Sequence, residues 1–278
     1  MPRPAIAQIV VKKVNESGMT DANDVLAAEE PLEIRLVWGA VNNRQTRNIS
    51  VTMRTPGNDA ELAIGFLYTE GIIQSVQEVA GIKHLRQDEN IAAVELAEGI
   101  DPDISKLERN FYTTSSCGVC GKSSIEAVRT VCNILETPDN LQFSSKLIYS
   151  LPDLLREQQD VFEHTGGLHG CALFDTEGKL LLMREDVGRH NALDKLIGAA
   201  LQANMLPLDK HILLLSGRAS FELIQKASMA GIKLVAAVGA PSSLAAALAE
   251  DMGMTLIGFL RGHRFNIYSG AQRIIVEK

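Results

Sequence analysis

The stretch that decides the fold is His211-Ile212-Leu213-Leu214-Leu215-Ser216-Gly217-Arg218-Ala219-Ser220. Four apolar residues in a row suit a strand in a sheet covered on both faces. Polar and glycine residues follow at once, which reads as a strand-to-helix turn at the carboxyl end of that strand. Working forward, the pattern gives a helix, a strand (Lys233 to Val238), a helix (Ser243 to Met252) and a strand (Thr255 to Leu260). Working back, a helix spans about Asn191 to Leu201. Before it, Cys171 to Phe174 and Leu180 to Met183 flank Asp175-Thr176-Glu177-Gly178-Lys179, a hairpin with turn chemistry at its centre. Alternating strands and helices predict a mostly parallel sheet with helices on both faces.

Further upstream, a helix is predicted from Ser150-Leu151-Pro152-Asp153, and Ser123 with Glu126 forms a capping box for a helix reaching about Leu135. The first ~105 residues read as a smaller α+β unit. Its strands are Ile6 to Val14, Leu32 to Trp38, Asn48 to Met53 and Ile91 to Leu96. A helix starts near Asn58 and stops at Gly71, and Ser75-Val76-Gln77-Glu78 caps a second, short one. The polar stretch Gly99 to Asn110 places the boundary, giving units 1–106 and 107–278.

The chain has 278 residues, 46% hydrophobic and 22% charged, an ordinary globular composition that can bury a sizeable core. Its net charge of −7 excludes a nucleic-acid binder working by bulk positive charge. No run of ~18 apolar residues can span a membrane, and the start lacks the long apolar region of a secretory signal. Four cysteines are too few for a disulfide scaffold. These features read as cytoplasmic.

The most chemical segment is Ser115-Ser116-Cys117-Gly118-Val119-Cys120-Gly121-Lys122. Thiols three apart can share a metal, form a disulfide or pass sulfur. A following helix start and Lys122 favour thiolate. A thiol of pKa ~8.5 is only about 3% ionised at pH 7, and lowering it two units takes roughly 2.7 kcal/mol. The readings left open are a zinc pair, a thioredoxin-like redox pair, an incidental pair and a sulfur-carrying nucleophile. Zinc normally needs a second pair or two histidines, and the redox motif needs a strong preceding strand, so the nucleophile is preferred. Cys132 reads as core.

Polar clusters fall elsewhere at predicted strand ends: His164-Thr165-Gly166-Gly167-Leu168-His169-Gly170, Arg184-Glu185-Asp186-Val187-Gly188-Arg189-His190-Asn191, and Ser216 to Ser220. A fourth, Phe259-Leu260-Arg261-Gly262-His263-Arg264-Phe265, follows the last apolar strand, and its arginines suit phosphate. The bland alternatives are a local ion pair for Asp186 and Arg189, and basic surface turns for Arg218 and Arg264. The element order resembles the cytidine-deaminase fold. Where zinc deaminases carry H-x-E and P-C-x-x-C, this chain has Asp186 to His190 and Ser216 to Ser220, without the zinc cysteines. Deamination is not expected, and no metal is assigned.

Together these segments resemble the FdhD/NarQ family of formate dehydrogenase accessory sulfurtransferases. The matching pieces are Gly65 to Ile73, Cys117 to Gly121, Thr165-Gly166 with His169, Glu185 to Lys195, Ser216 to Ser220 and Gly258 to Arg264. The resemblance implies a deaminase-like three-layer α/β domain after the smaller one, and a homodimer. It implies persulfide sulfur taken from a cysteine desulfurase onto Cys117, with Cys120 as partner. The sulfur passes to the molybdenum or tungsten of a bis-molybdopterin guanine dinucleotide cofactor, a bound substrate destined for the formate dehydrogenase catalytic subunit. Phe259, Leu260, Arg261, Gly262, His263 and Arg264 match the cofactor-binding stretch, which a guanine nucleotide such as GDP can also occupy. Asp186, Arg189, Ser216 and Arg218 are secondary candidates. Some members carry a cysteine near the position of Gly167. Here the nearest is Cys171, which puts a third thiol in doubt. The competing class is a maturation chaperone that holds cofactor or enzyme without transferring sulfur.

Overall fold

The computed structural model describes residues 4–85, 88–103, 140–158 and 165–277. Cys117, Cys120, Cys132, His164 and the helix predicted after Ser123 lie outside the described residues.

The strands are β1 (Ile6–Asn15), β2 (Gly18–Ala27), β3 (Glu30–Trp38), β4 (Gln45–Arg54), β5 (Val79–Leu85), β6 (Asp88–Leu96), β7 (Phe143–Ser144), β8 (His169–Phe174), β9 (Leu180–Asp186), β10 (Ile212–Leu215), β11 (Leu234–Ala237), β12 (Thr255–Arg261), β13 (Arg264–Ser269) and β14 (Ile274–Ile275). The α-helices are α1 (Asp59–Thr69), α2 (Ser145–Arg156), α3 (Arg189–Gln202), α4 (Phe221–Met229) and α5 (Ser243–Asp251).

The larger sheet has the order β13-β12-β11-β10-β8-β9. Only β10–β11 and β11–β12 run parallel; β8, β9 and β13 are antiparallel to their neighbours. This corrects the mostly parallel sheet. The hairpin β8–β9 reverses the chain through the five residues Asp175 to Lys179, where a parallel pair would need a helical crossover. Its turn is closed by Asp175, whose Oδ1 accepts from the amides of Glu177 and Lys179, while Gly178 takes φ +83°. From β8 onward the order hairpin, helix, strand, helix, strand, helix, strand is the one expected.

The apolar strand is buried on both sides. Leu213 and Leu215 face a core built with Leu193, Leu196, Ile224 and Leu248 from α3, α4 and α5. Ile212 and Leu214 face a second core with Ile148, Leu151 and Leu155 of α2. Among the described residues the layers are therefore three helices, the sheet, and one helix. Helix α2 starts at Ser145, five residues before the predicted start. Ser144 caps it, accepting from the Lys146 amide at 3.1 Å.

The N-terminal sheet has the order β4-β3-β6-β5 and buries Leu32, Ile34 and Leu36 against Leu62, Ile64 and Leu67 of α1. The second helix predicted from Ser75 is a single 3₁₀ turn, Val76–Glu78, and Ser75 makes no side-chain cap. The Glu78 carboxylate accepts instead from the Gln74 amide. Strands β2, β5, β7, β13 and β14 are not among those the sequence pattern gives.

Helices α1 and α3 cross at two glycines. A methyl group on Gly65 would stand 1.9 Å from the Asp194 carbonyl oxygen, and one on Gly198 1.9 Å from that of Glu61. Only glycine lets the backbones approach so closely. This crossing joins the two sheets.

Candidate functional site

The carboxyl ends of β10, β11 and β12 set the level of the site. Leu215 is opposite Ala237, and Ala236 is opposite Ile257. Ser216 to Ser220, Gly239 to Pro241 and Phe259 therefore emerge side by side. Antiparallel β8 begins at the same end with His169, paired to Asp186 at the end of β9. The strand ends thus gather His169, Asp186, Ser216, Arg218 and Phe259. With strands ~4.8 Å apart, β10 and β12 stand about 10 Å apart across β11.

The loops are held tightly. The Ser216 amide donates to the Gly170 carbonyl, and its Oγ accepts from the Gly170 amide at 2.8 Å. The Gly239 amide donates to Gly217, and the Phe259 amide to Gly239. A Cβ on Gly239 would lie 2.9 Å from the Gly217 oxygen, so this position also requires glycine.

Phe259 adopts φ +54°. A bulky residue in the left-handed region is a true outlier, costing on the order of 1 kcal/mol or more. It sits in a bulge between Gly258 and Arg261 and is 37% exposed. An apolar ring is held toward water in a strained backbone.

The segment Phe259 to Arg264 is not the loop expected after a last strand. It is the tip of the β12–β13 hairpin, Arg261 paired with Arg264. Arg261, Gly262, His263 and Arg264 are exposed, and His263 meets the Tyr149 ring of α2 edge-on at 5.5 Å. Leu260 is fully buried in the α2-side core and offers a ligand no surface.

Asp186 is fully buried. Lys195 Nζ lies 2.7 Å from its Oδ2, and the amides of Thr55 and Gly188 and the Asn191 side chain donate to it. These partners use up its carboxylate in holding Thr55, the residue that follows β4. Lys195 also donates to the Thr55 carbonyl at 2.8 Å, and Asn191 to that of Met53. The segment Glu185 to Lys195 therefore has two faces. Asp186, Asn191, Asp194 and Lys195 tie the domain to β4 and α1. Arg189 and His190, in the first turn of α3, belong to the cluster at the strand ends.

That cluster is basic. Burial first, then the charges of Arg189 and His190, with Arg218 adding, hold the His169 imidazole below its ordinary value against the pull of Asp186. His190 Nε2 lies 2.7 Å from Glu222 Oε2 and 3.2 Å from Ser220 Oγ. Burial pushes the Glu222 carboxyl up, but its hydrogen bond to His190 and the charges of His190, Lys226 and Arg189 outweigh that and leave it low. Arg189 Nε and Glu222 Oε1 are enclosed without a hydrogen-bond partner among the described residues. An enclosed guanidinium N–H without an acceptor is poised for an anionic oxygen.

Sequence reasoning missed His190, Ser220 and Glu222 as one unit. It also missed a buried group at the α1–α4 contact: Lys226 donates to Asp194, Thr69 and Glu70. Burial lowers the Lys226 pKa, but Asp194 and Glu70 more than reverse this and keep it protonated. The thiol of Cys171 is enclosed, and burial pushes it up, so it is no nucleophile at neutral pH. No three His, Cys, Asp or Glu side chains converge as a metal group among the described residues.

The sequence that builds this arrangement matches a known family. The pattern of the FdhD/NarQ family matches residues 27–275. The chain belongs to the FdhD/NarQ family. A relative from Streptomyces avermitilis, named sulfur carrier protein FdhD, is 50% identical over 277 residues, covering 96% of this chain and 95% of that protein. One of the same name from Mycolicibacterium paratuberculosis is 51% identical over 258 residues, covering 90% and 92%. The archaeal FdhD relative from Saccharolobus solfataricus is 42% identical over 262 residues, covering 94% and 95%. In fold, the chain is similar to the crystal structure of a formate dehydrogenase accessory protein from Desulfotalea psychrophila. The TM-score is 0.75 at 24% identity, covering 98% of this chain and all of that one. No helix among the described residues is long and apolar enough to cross a membrane.

Proposed function

We propose that this FdhD/NarQ member is a sulfurtransferase acting through a cysteine persulfide, and that it matures a formate dehydrogenase in the cytoplasm. The observation that carries the reading is the conjunction of family membership with a basic, strained and unsatisfied strand-end site. A molybdenum or tungsten bis-molybdopterin guanine dinucleotide is its substrate there. Such a molecule offers phosphates and guanine rings.

Arg189 and Arg218 supply charge for phosphate, and the amino ends of α3, α4 and α5 open toward the same level. Phe259 offers a ring against which a guanine can stack, and Arg261, His263 and Arg264 extend the basic rim. GDP competes for this place. The lack of a partner at Arg189 Nε supports an anionic ligand.

Cys117 is the carrier in this proposal. Its thiolate attacks the outer sulfur of a desulfurase persulfide. The new S–S bond forms as the donor's breaks, and the donor leaves as thiolate. Cys120 stands by as resolving thiol. The chain works as a homodimer.

The test is loading with a cysteine desulfurase and cysteine, followed by intact mass and peptide mapping. One added sulfur on Cys117 or Cys120, removed by reductant, is the expected result. Absence of sulfur on both, with formate dehydrogenase still maturing in cells, overturns the reading in favour of a cofactor-holding chaperone.

A further inference from the structure

Glu222 is out of place in a site built for an anion. Its neighbours at the strand ends are Arg189, His190 and Arg218, which suit phosphate, whereas a carboxylate repels one. Yet it stays ionised, because its hydrogen bond to His190 and the positive charges around it outweigh burial.

Half of that carboxylate is accounted for. Oε2 lies 2.7 Å from His190 Nε2. Oε1 is enclosed and has no donor among the described residues. A bare, ionised oxygen inside a protein is costly, so it calls for an N–H or O–H from outside the chain. The nearby donors are committed elsewhere. Ser220 Oγ turns to His190 at 3.2 Å and does not cap α4. Lys226, one turn further along α4, gives its Nζ to Asp194, Thr69 and Glu70. The Glu222 and His190 side chains are 13% and 19% exposed, so a ligand reaches the pair without unfolding the site.

The order of the elements says what the donor is. Helix α3 packs on β8 and β9, and α5 packs on β12 and β13. Helix α4 touches both helices and lies between them. Arg189 and Glu222 therefore stand in the first turns of neighbouring helices, with Phe259 beyond them in β12. In the proposed function Arg189 takes a phosphate and Phe259 stacks on a guanine. The part of a nucleotide between its phosphate and its base is the ribose, which is uncharged and carries two hydroxyl donors. The diphosphate ester inside the cofactor has no proton to give. Carboxylates bind ribose hydroxyls in dinucleotide sites for the same reason.

We propose that Glu222 reads the ribose of the bound nucleotide. Its Oε1 accepts from the sugar hydroxyls, while His190 fixes the carboxylate through Oε2. This inference rests on the nucleotide reading above and deepens it, because it makes the site one for ribonucleotides. An analogue without the hydroxyls leaves Oε1 bare.

The test is calorimetric binding of GDP, 2′,3′-dideoxy-GDP and IDP to the full chain and to Glu222→Gln. For the unaltered chain, loss of the hydroxyls is expected to weaken binding about thirtyfold. In Glu222→Gln the acceptor is no longer charged, and that ratio should shrink to about fivefold or less. The ratio of IDP to GDP affinity should be the same in both proteins, because Glu222 does not touch the base. Equal binding of GDP and its dideoxy analogue by the unaltered chain overturns the assignment without any variant. A sugar ratio that survives Glu222→Gln also overturns it. So does a variant that abolishes the IDP ratio instead, since the carboxylate would then read guanine. If GDP does not bind the unaltered chain at all, the nucleotide reading itself falls and takes the ribose assignment with it.

Discussion

Lys195 Nζ stands 2.7 Å from Asp186 Oδ2, and both side chains are almost wholly buried. The pair lies between the two sheets, with Thr55 giving its amide to one partner and its carbonyl to the other. Removing one member strands the other as an uncompensated charge, which costs about 3–5 kcal/mol. Lys195→Met should therefore lower unfolding free energy by about that much in urea denaturation. A loss under 1 kcal/mol would show that the pair does not hold the halves together.

The α1–α3 crossing predicts a sharp contrast between glycines. Gly198→Ala forces backbone apart and should cost about 1–3 kcal/mol or more. Gly81→Ala, with nothing within 4 Å and an ordinary φ, should stay within about 0.5 kcal/mol. Equal thermal shifts for the two would contradict the close approach.

Phe259 separates stability from binding. Phe259→Gly relieves the left-handed strain, so the fold should be as stable or up to about 1 kcal/mol more stable. GDP affinity should fall roughly tenfold as the stacking ring goes. A binding constant unchanged by the substitution, measured by calorimetry, would remove Phe259 from the site.

His169 gives a pH dependence with a definite sign. Its folded pKa lies below the ordinary value, so the folded state prefers the neutral ring. That contribution to stability is complete above the unfolded pKa of ~6.5 and is lost as pH falls through the lower folded value. A bound phosphate favours the protonated ring, so GDP should bind more tightly at pH ~5.5 than at ~7.5. His169→Gln should flatten both profiles. Retention of either slope in the variant assigns that slope elsewhere.

The sulfur-carrying thiol yields a cellular prediction. Cys117→Ala should abolish formate dehydrogenase maturation, while purified protein keeps its thermal midpoint. An unfolded variant would instead mark the cysteine as structural.

Where local chemistry and tertiary structure agreed, the sequence was legible. The β8–β9 hairpin rests on Asp175 and Gly178, which act within five residues of each other. The leucines of β10 have no other use than a doubly covered strand. Strand β2, Gly-Met-Thr-Asp-Ala-Asn-Asp-Val-Leu-Ala, is rich in poor strand formers and carries no alternation, so nothing local marks it. The capping signal at Ser75 goes unused, because β5 already starts at Val79. In the site, Arg189, Arg218 and Ser216 were visible as polar residues at strand ends. The Lys226–Asp194–Thr69 group was not, because its members are up to 157 residues apart. Its one sequence trace is charge, Asp194-Lys195 and Lys226, set in otherwise apolar helical faces. Phe259 gave no sign of its backbone, because φ at a bulge is decided by the partner strand.

The glycine crossing also bears on birth order. Helix α1 needs α3 to cover its second flank, yet Gly198 leaves the ribosome about 130 residues after Gly65, ten or so seconds at ~5–20 residues per second. During that interval the nascent N-terminal sheet exposes a naked helical stripe, and it is then that a chaperone has most to hold.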